Sequence, residues 1–105
     1  MKVNIADDFS LYPMGRTIED GPDNGERFFN EFLKENLDKG IKTRIIFDGV
    51  RAFGSSFLDQ VFNVKPSSLG IKRDLFQSLV EIEAKGQAYV FYRRMAEDYT
   101  KKIPK

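Results

Sequence analysis

The segment FDGVRAFGSSFLDQVF, residues 47–62, decides how the chain is read. An apolar run closes on Asp48 and Gly49, bends through residues 50–54, and reopens with two serines ahead of Phe57, Leu58, Val61 and Phe62. Those four side chains recur at helical spacing and form one apolar stripe. A serine ahead of such a stripe is a favoured N-cap, because its hydroxyl oxygen accepts an orphan backbone N–H of the first turn. Upstream, residues 43–47 form a short β-branched run of successive apolar side chains, which predicts a central strand buried on both faces, as in parallel sheets covered by helices. The segment therefore predicts strand, turn and helix, with Ser55 or Ser56 capping the helix. In an open α/β sheet, ligands gather at such junctions, where unsatisfied N–H groups and the helix dipole favour anions.

Working outward, residues 2–6 alternate Val3 and Ile5 with Lys2 and Asn4, the period of a half-buried strand. Residues 7–24 hold prolines at 13 and 22, glycines at 15 and 21 and several acids, a turn composition in which only residues 16–18 read as a second short strand. A connection this long is expected to fold over a site. Asn24 caps a predicted helix over 24–38, whose stripe is Phe28, Phe29, Phe32, Leu33 and Leu37, with Gly40 as the stop signal.

Beyond the quoted segment, residues 63–70 read as a loop around Pro66, and 74–77 as a short helical turn. Residues 79–84 read as an edge-side strand whose outward Glu81 and Glu83 resist edge-to-edge pairing. QAYVFY (87–92) has high β propensity alone. Even so, Ala88, Phe91, Tyr92, Met95, Ala96, Tyr99 and Ile103 recur at 3.6-residue spacing, and the longer pattern predicts a terminal helix. The sum is an α/β fold: one domain over 1–105, with a mixed sheet of about four strands and helices packed against it.

Composition narrows the function classes. At 105 residues, with 41% apolar and 31% charged residues, the chain suits one soluble domain, and ten phenylalanines and four tyrosines predict an aromatic core. A net charge of +1 provides no global field for nucleic acid or anionic lipid. The late cluster Arg93, Arg94, Lys101, Lys102 and Lys105 reads as a solvated helix end. The chain has no cysteine and no histidine, which removes disulfides, thiol catalysis, the usual zinc sites and the commonest general base. The expectation is a protein that is not an enzyme and holds no cofactor or metal. No apolar run reaches the ~20 residues of a membrane helix, and the opening residues do not form a secretory signal, so a cytoplasmic location is expected.

Four further residues compete with the serines as site candidates. Asp48, at a strand end, can activate Ser56 or bind a metal, or simply form a turn or pair with Arg16 or Arg51. Asp20 and Asp23 can join Asp48 around magnesium, which takes oxygen ligands alone. Arg16 can clamp a phosphate bidentately or be tied to a loop acid.

The order strand, short strand, helix, strand, Ser-Ser, helix, strand, helix resembles the STAS domain of bacterial anti-sigma-factor antagonists. In detail, Gly15 and Arg16, DGPDNGERFFNEFL (20–33) and FDGVRAFGSSFLDQVF (47–62) look like the STAS-like family of unknown function, with its Arg, GE-x-F helix start and SSFLDE-type motif. In similar antagonists a D-S-S-G turn carries the serine phosphorylated by a partner kinase. By position, Ser55 and Ser56 match those serines, Gly54 stands where the acid would be, and Phe57 replaces the glycine. The resemblance thus implies a regulatory module that binds a protein partner, a histidine-kinase-like ATPase in kind, at a corner formed by Ser55, Ser56, Asp48, Arg16 and Phe57. The other readings are a bare helix cap, a small nucleotide- or phosphate-binding domain or magnesium-dependent enzyme using Arg16 and Asp48, and a structural homodimer.

Overall fold

The computed structural model describes residues 1–105, and its centre is the strand β2 (Thr43–Ile46). Strand β2 pairs with β1 (Lys2–Asn4) on one side and with β3 (Val80–Glu83) on the other, both in parallel. Val3, Ile45 and Ile82 stand level across the sheet. The sheet therefore has three parallel strands in the order β1-β2-β3, not about four in a mixed arrangement.

The missing strand is the one expected at residues 16–18. The Asp20 carboxylate accepts the backbone N–H groups of Arg16 and Thr17 at 2.8 and 3.2 Å, curling the chain into a 3₁₀ turn over Ile18–Asp20. A short acidic side chain here competes for the amides a sheet ladder would need. The same effect shortens β1. Asn4 accepts the Asp7 N–H at 3.1 Å and donates its own N–H to Asp8 at 2.8 Å, so the chain passes at once into a single turn, α1 (Ile5–Asp8).

Helix α2 spans 25–39. Asn24 accepts the Arg27 N–H at 2.8 Å, and Gly40 ends the helix in the left-handed region at φ 69°, as the sequence predicts. Helix α3 spans 55–68, carrying on through residues expected to form a loop. Pro66 does not break it because it falls in the first turn of the final α segment, just after a π segment has rearranged the backbone ladder. Both helices contain such a π stretch, Phe29–Leu33 in α2 and Gln60–Val64 in α3. Helix α4 (Arg73–Leu79) leads directly into β3, and α5 (Gln87–Thr100) confirms the terminal helix over its strand-like alternative.

Alternation along the strands sorts the two faces of the sheet. Val3, Thr43, Ile45 and Phe47 are buried, whereas Lys2 and Glu81 are exposed and Asn4, Arg44, Ile46 and Glu83 are half-buried. β2 is thus covered on one face only, which corrects the expectation of a strand buried on both. On the open face Arg44 stands between Glu81 and Glu83, at 3.6 and 3.7 Å. On the covered face the core is aromatic: Phe28, Phe29, Phe47, Phe57, Phe62 and Phe76 are all fully buried. Most neighbouring rings meet edge-on or tilted, with Phe9 on Phe28 at 5.2 Å and Phe47 on Phe53 at 4.7 Å, while Phe28 and Phe32 stack at 5.2 Å, the separations at which aromatic quadrupoles attract.

The two long helices pack tightly together at Gly25. A Cβ built there lies 2.9 Å from the Phe57 carbonyl oxygen and 2.8 Å from the Gln60 Cβ, so only a hydrogen fits between the start of α2 and the flank of α3. Gly25→Ala is therefore expected to lower stability by about 1–3 kcal/mol, the usual cost of overpacking. Gly40→Ala, in open space but at positive φ, should cost about 1 kcal/mol. Urea unfolding of the two variants beside the parent checks this order, and an unchanged midpoint for Gly25→Ala contradicts the contact.

Candidate functional site

The serine corner forms where residues 50–54 leave the sheet and α3 begins. The N-cap of α3 is Gly54, in extended conformation at φ −81° and ψ 135°, and neither serine hydroxyl caps the helix. This overturns the expectation that Ser55 or Ser56 is the cap, and the reason is steric. A Cβ on Gly54 would lie 3.3 Å from the Met14 Cα, because the long loop crosses directly over this residue. A side chain at the cap position would press on the loop, and the serines fall on the first helical residues, Ser55 exposed and Ser56 half-buried.

The loop expected to fold over a site does so through its main chain. Leu11 accepts N–H groups from Arg51 and Ala52 at 2.9 and 3.4 Å, and Pro13 accepts that of Gly54 at 3.0 Å. At its far end, Gly15 and Arg16 accept the N–H groups of Gly25 and Glu26, both at 3.0 Å, anchoring the loop to the start of α2. Held this way, the loop turns large apolar side chains to solvent: Leu11, Tyr12 and Met14 are 41, 53 and 47% exposed. Sequence reasoning passed over them, although three bulky apolar residues in a turn-rich segment with no helical or strand period are the pattern of a surface that is not core.

Arg16 reaches the helix rather than the strand end. Its Nη1 lies 2.7 Å from Oδ2 of Asp59, one helical turn beyond Ser55. Burial opposes ionisation of Asp59, but hydrogen bonds from Asn63 and Arg16 outweigh it and hold the carboxyl below its ordinary value. Asp59 is a site-adjacent residue that sequence reasoning missed. Its signal was the position four residues after Ser55, which places both on one helix face.

The remaining candidates disperse. Asp48 accepts N–H groups of Lys85 and Gly86 at 2.9 Å each, joining the end of β2 to the turn that precedes α5. Burial disfavours its charge, yet those amides more than compensate and lower its pKa. It meets neither Arg16 nor the serines in any hydrogen bond or ion pair. Asp20 is occupied by the Arg16 and Thr17 amides, and Asp23 accepts the Ser10 hydroxyl at 2.8 Å. The three acids thus hold three separate sets of partners, and no cluster of acidic side chains is arranged around a metal position. Phe57 is fully buried, its ring 5.7 Å from Phe28 and 6.0 Å from Phe9. It belongs to the core, and its expected part in direct partner contact is withdrawn.

What remains at the corner is two serine side chains at the start of a 14-residue helix with no acid in its first turn, a nearby arginine on Asp59, and an apolar loop alongside. Such an arrangement supplies contact area and the positive potential of a helix N-terminus. A family model described as a STAS-like domain of unknown function matches residues 24–84, which includes both serines and leaves Arg16 outside. No curated protein and no solved structure matches the chain. No helix is long and apolar enough to cross a membrane.

Asp48→Ala should cost about 1–2 kcal/mol, since the Lys85 and Gly86 amides lose a charged acceptor. The folded-state pKa of Asp48, like that of Asp59, lies below the ordinary 3.8. Stability from both carboxylates is therefore fully present above that value and is lost as pH falls through the lower folded values. Urea midpoints measured between pH 7 and pH 2 should fall below about pH 4 in the parent and less steeply in Asp48→Ala; parallel curves would contradict the assignment.

Proposed function

The chain belongs to the STAS-like domain family, and from that premise we propose that it is a non-enzymatic regulatory module that docks a protein partner at the Ser55–Ser56 corner under control of serine phosphorylation. The observation that carries this reading is the pairing of uncommitted serines with exposed apolar surface. Leu11, Tyr12 and Met14 flank hydroxyls that do no capping work. A partner covering the loop also covers the helix start, because the Leu11 and Pro13 carbonyls tie the two together.

The switch follows from charge. A partner kinase moves the γ-phosphoryl group of ATP onto a serine Oγ, forming the P–O bond as ADP departs and the hydroxyl proton is released. The product carries about −1.5 to −2 charge. The free domain accommodates it, since the helix N-terminus favours an anion and the Arg16 side chain, 44% exposed though paired with Asp59, adds a neighbouring cation. A partner that seats apolar or acidic surface on the loop would have to desolvate that charge, and docking is lost. Family resemblance favours a kinase-like ATPase as the partner. Arg16 and Asp48, which a nucleotide site or magnesium enzyme would need together, serve different parts of the fold.

The test uses protein purified from its own cells and a partner identified by co-purification with the wild type. Phosphopeptide mapping should place phosphate on Ser55 or Ser56. Ser55→Asp and Ser56→Asp should weaken partner binding about tenfold or more, with alanine at either site near wild type. Equal binding by all variants, or phosphate only on a serine elsewhere such as Ser67, overturns the proposal.

A further inference from the structure

No strand pairs with the outer edge of β3, and a cleft of about 410 Å³ opens beside it. Val80 and Ile82 of the strand wall the cleft, with Phe62 and Phe76 behind them and Thr100 from the last turn of α5. Parallel pairing decides which main-chain groups are already engaged. Phe47 donates its N–H to the Glu83 carbonyl at 2.9 Å, so Glu83, and Glu81 two residues before it, turn their backbone groups toward β2. The N–H and C=O of Ile82 then point outward along the free edge, while the Val80 N–H is taken by the Phe76 carbonyl. Side chains alternate in step: Val80 and Ile82 face the cleft, and Glu81 and Glu83 face the open side of the sheet.

We infer that this edge accepts an extended segment of a protein partner as a fourth strand, one whose side chains alternate between apolar and basic. Ile82 supplies the main-chain donor and acceptor, and the cleft takes the apolar side chains, the two components of strand addition. Basic side chains between them fall on the face of Glu81 and Glu83, which already draw Arg44 to 3.6 and 3.7 Å. Glu81 also reaches the rim of the cleft, where Glu97 adds a second carboxylate, and the neighbouring Lys101 is engaged with Asp98 at 3.6 Å. A second copy of β3 is a poor occupant, because edge-to-edge pairing sets Glu81 and Glu83 against their own counterparts, and like charges across a ladder destabilise it. The site stands apart from the serine corner and does not depend on its reading.

The experiment titrates the full ¹⁵N-labelled chain with a blocked synthetic heptapeptide of alternating valine and lysine, and with its glutamate counterpart. The lysine peptide should shift the amides of Val80, Ile82 and Thr100, slow solvent exchange at the Ile82 N–H, and bind about tenfold more tightly than the glutamate peptide. Glu81→Lys, an exposed substitution that leaves the fold intact, should reverse that preference. The inference is overturned by absent shifts at millimolar peptide, by shifts confined to residues away from β3, by equal binding of the two peptides, or by a preference that Glu81→Lys leaves unchanged. Concentration-dependent broadening of the β3 amides without peptide, which would mean self-pairing, also overturns it.

Discussion

The contact on which the molecule depends is the approach of the α2 N-terminus to the backbone of α3 at Gly25. A hydrogen in place of a methyl lets the Phe57 carbonyl come within reach of the neighbouring helix, and that spacing seats Phe28 against Phe57 in the core. With α2 seated, the Gly15 and Arg16 carbonyls receive the amides of Gly25 and Glu26, and Arg16 comes into line with Asp59. The loop that borders the serines is thus located by helix packing more than by contacts of its own side chains.

Two acids divide the labour of holding the chain where it leaves β2. Asp48 looks toward α5, gathering the Lys85 and Gly86 amides, and the Tyr89 hydroxyl reinforces that junction by donating to the Val50 carbonyl at 2.8 Å. Asp59 looks toward the long loop through Arg16. The corner between them has no carboxylate in the first turn of α3, and Asp59, one turn on, is paired with Arg16. Asp20 and Asp23 are spent on shaping the loop rather than on chemistry.

Much of the fold was legible because the decisive signals were local. Asn24 and Gly40 bound α2 by side-chain and left-handed capping, and the stripes of both long helices survive in the structure, whereas that of α5 holds only from Tyr92 onward, since Ala88 and Phe91 are exposed. Three things were not legible, each for a physical reason. The strand at 16–18 is lost to a carboxylate that takes its amides. The proline at 66 reads as a breaker unless the π segment before it is known. The cap at Gly54 is set by a loop forty residues away in sequence, a constraint no local pattern carries. At the site, the serines could be placed from their spacing, whereas the Arg16–Asp59 pair and the outward turn of Leu11, Tyr12 and Met14 are products of tertiary packing.

A sheet clothed on one side and only three strands wide leaves β1 with water along one edge and across one face. Its three residues have little apolar area to surrender on detaching, so local opening should begin there and reach β2 last. What retains that end is the pair of side chains it does bury, Val3 and, just past the strand, Ile5.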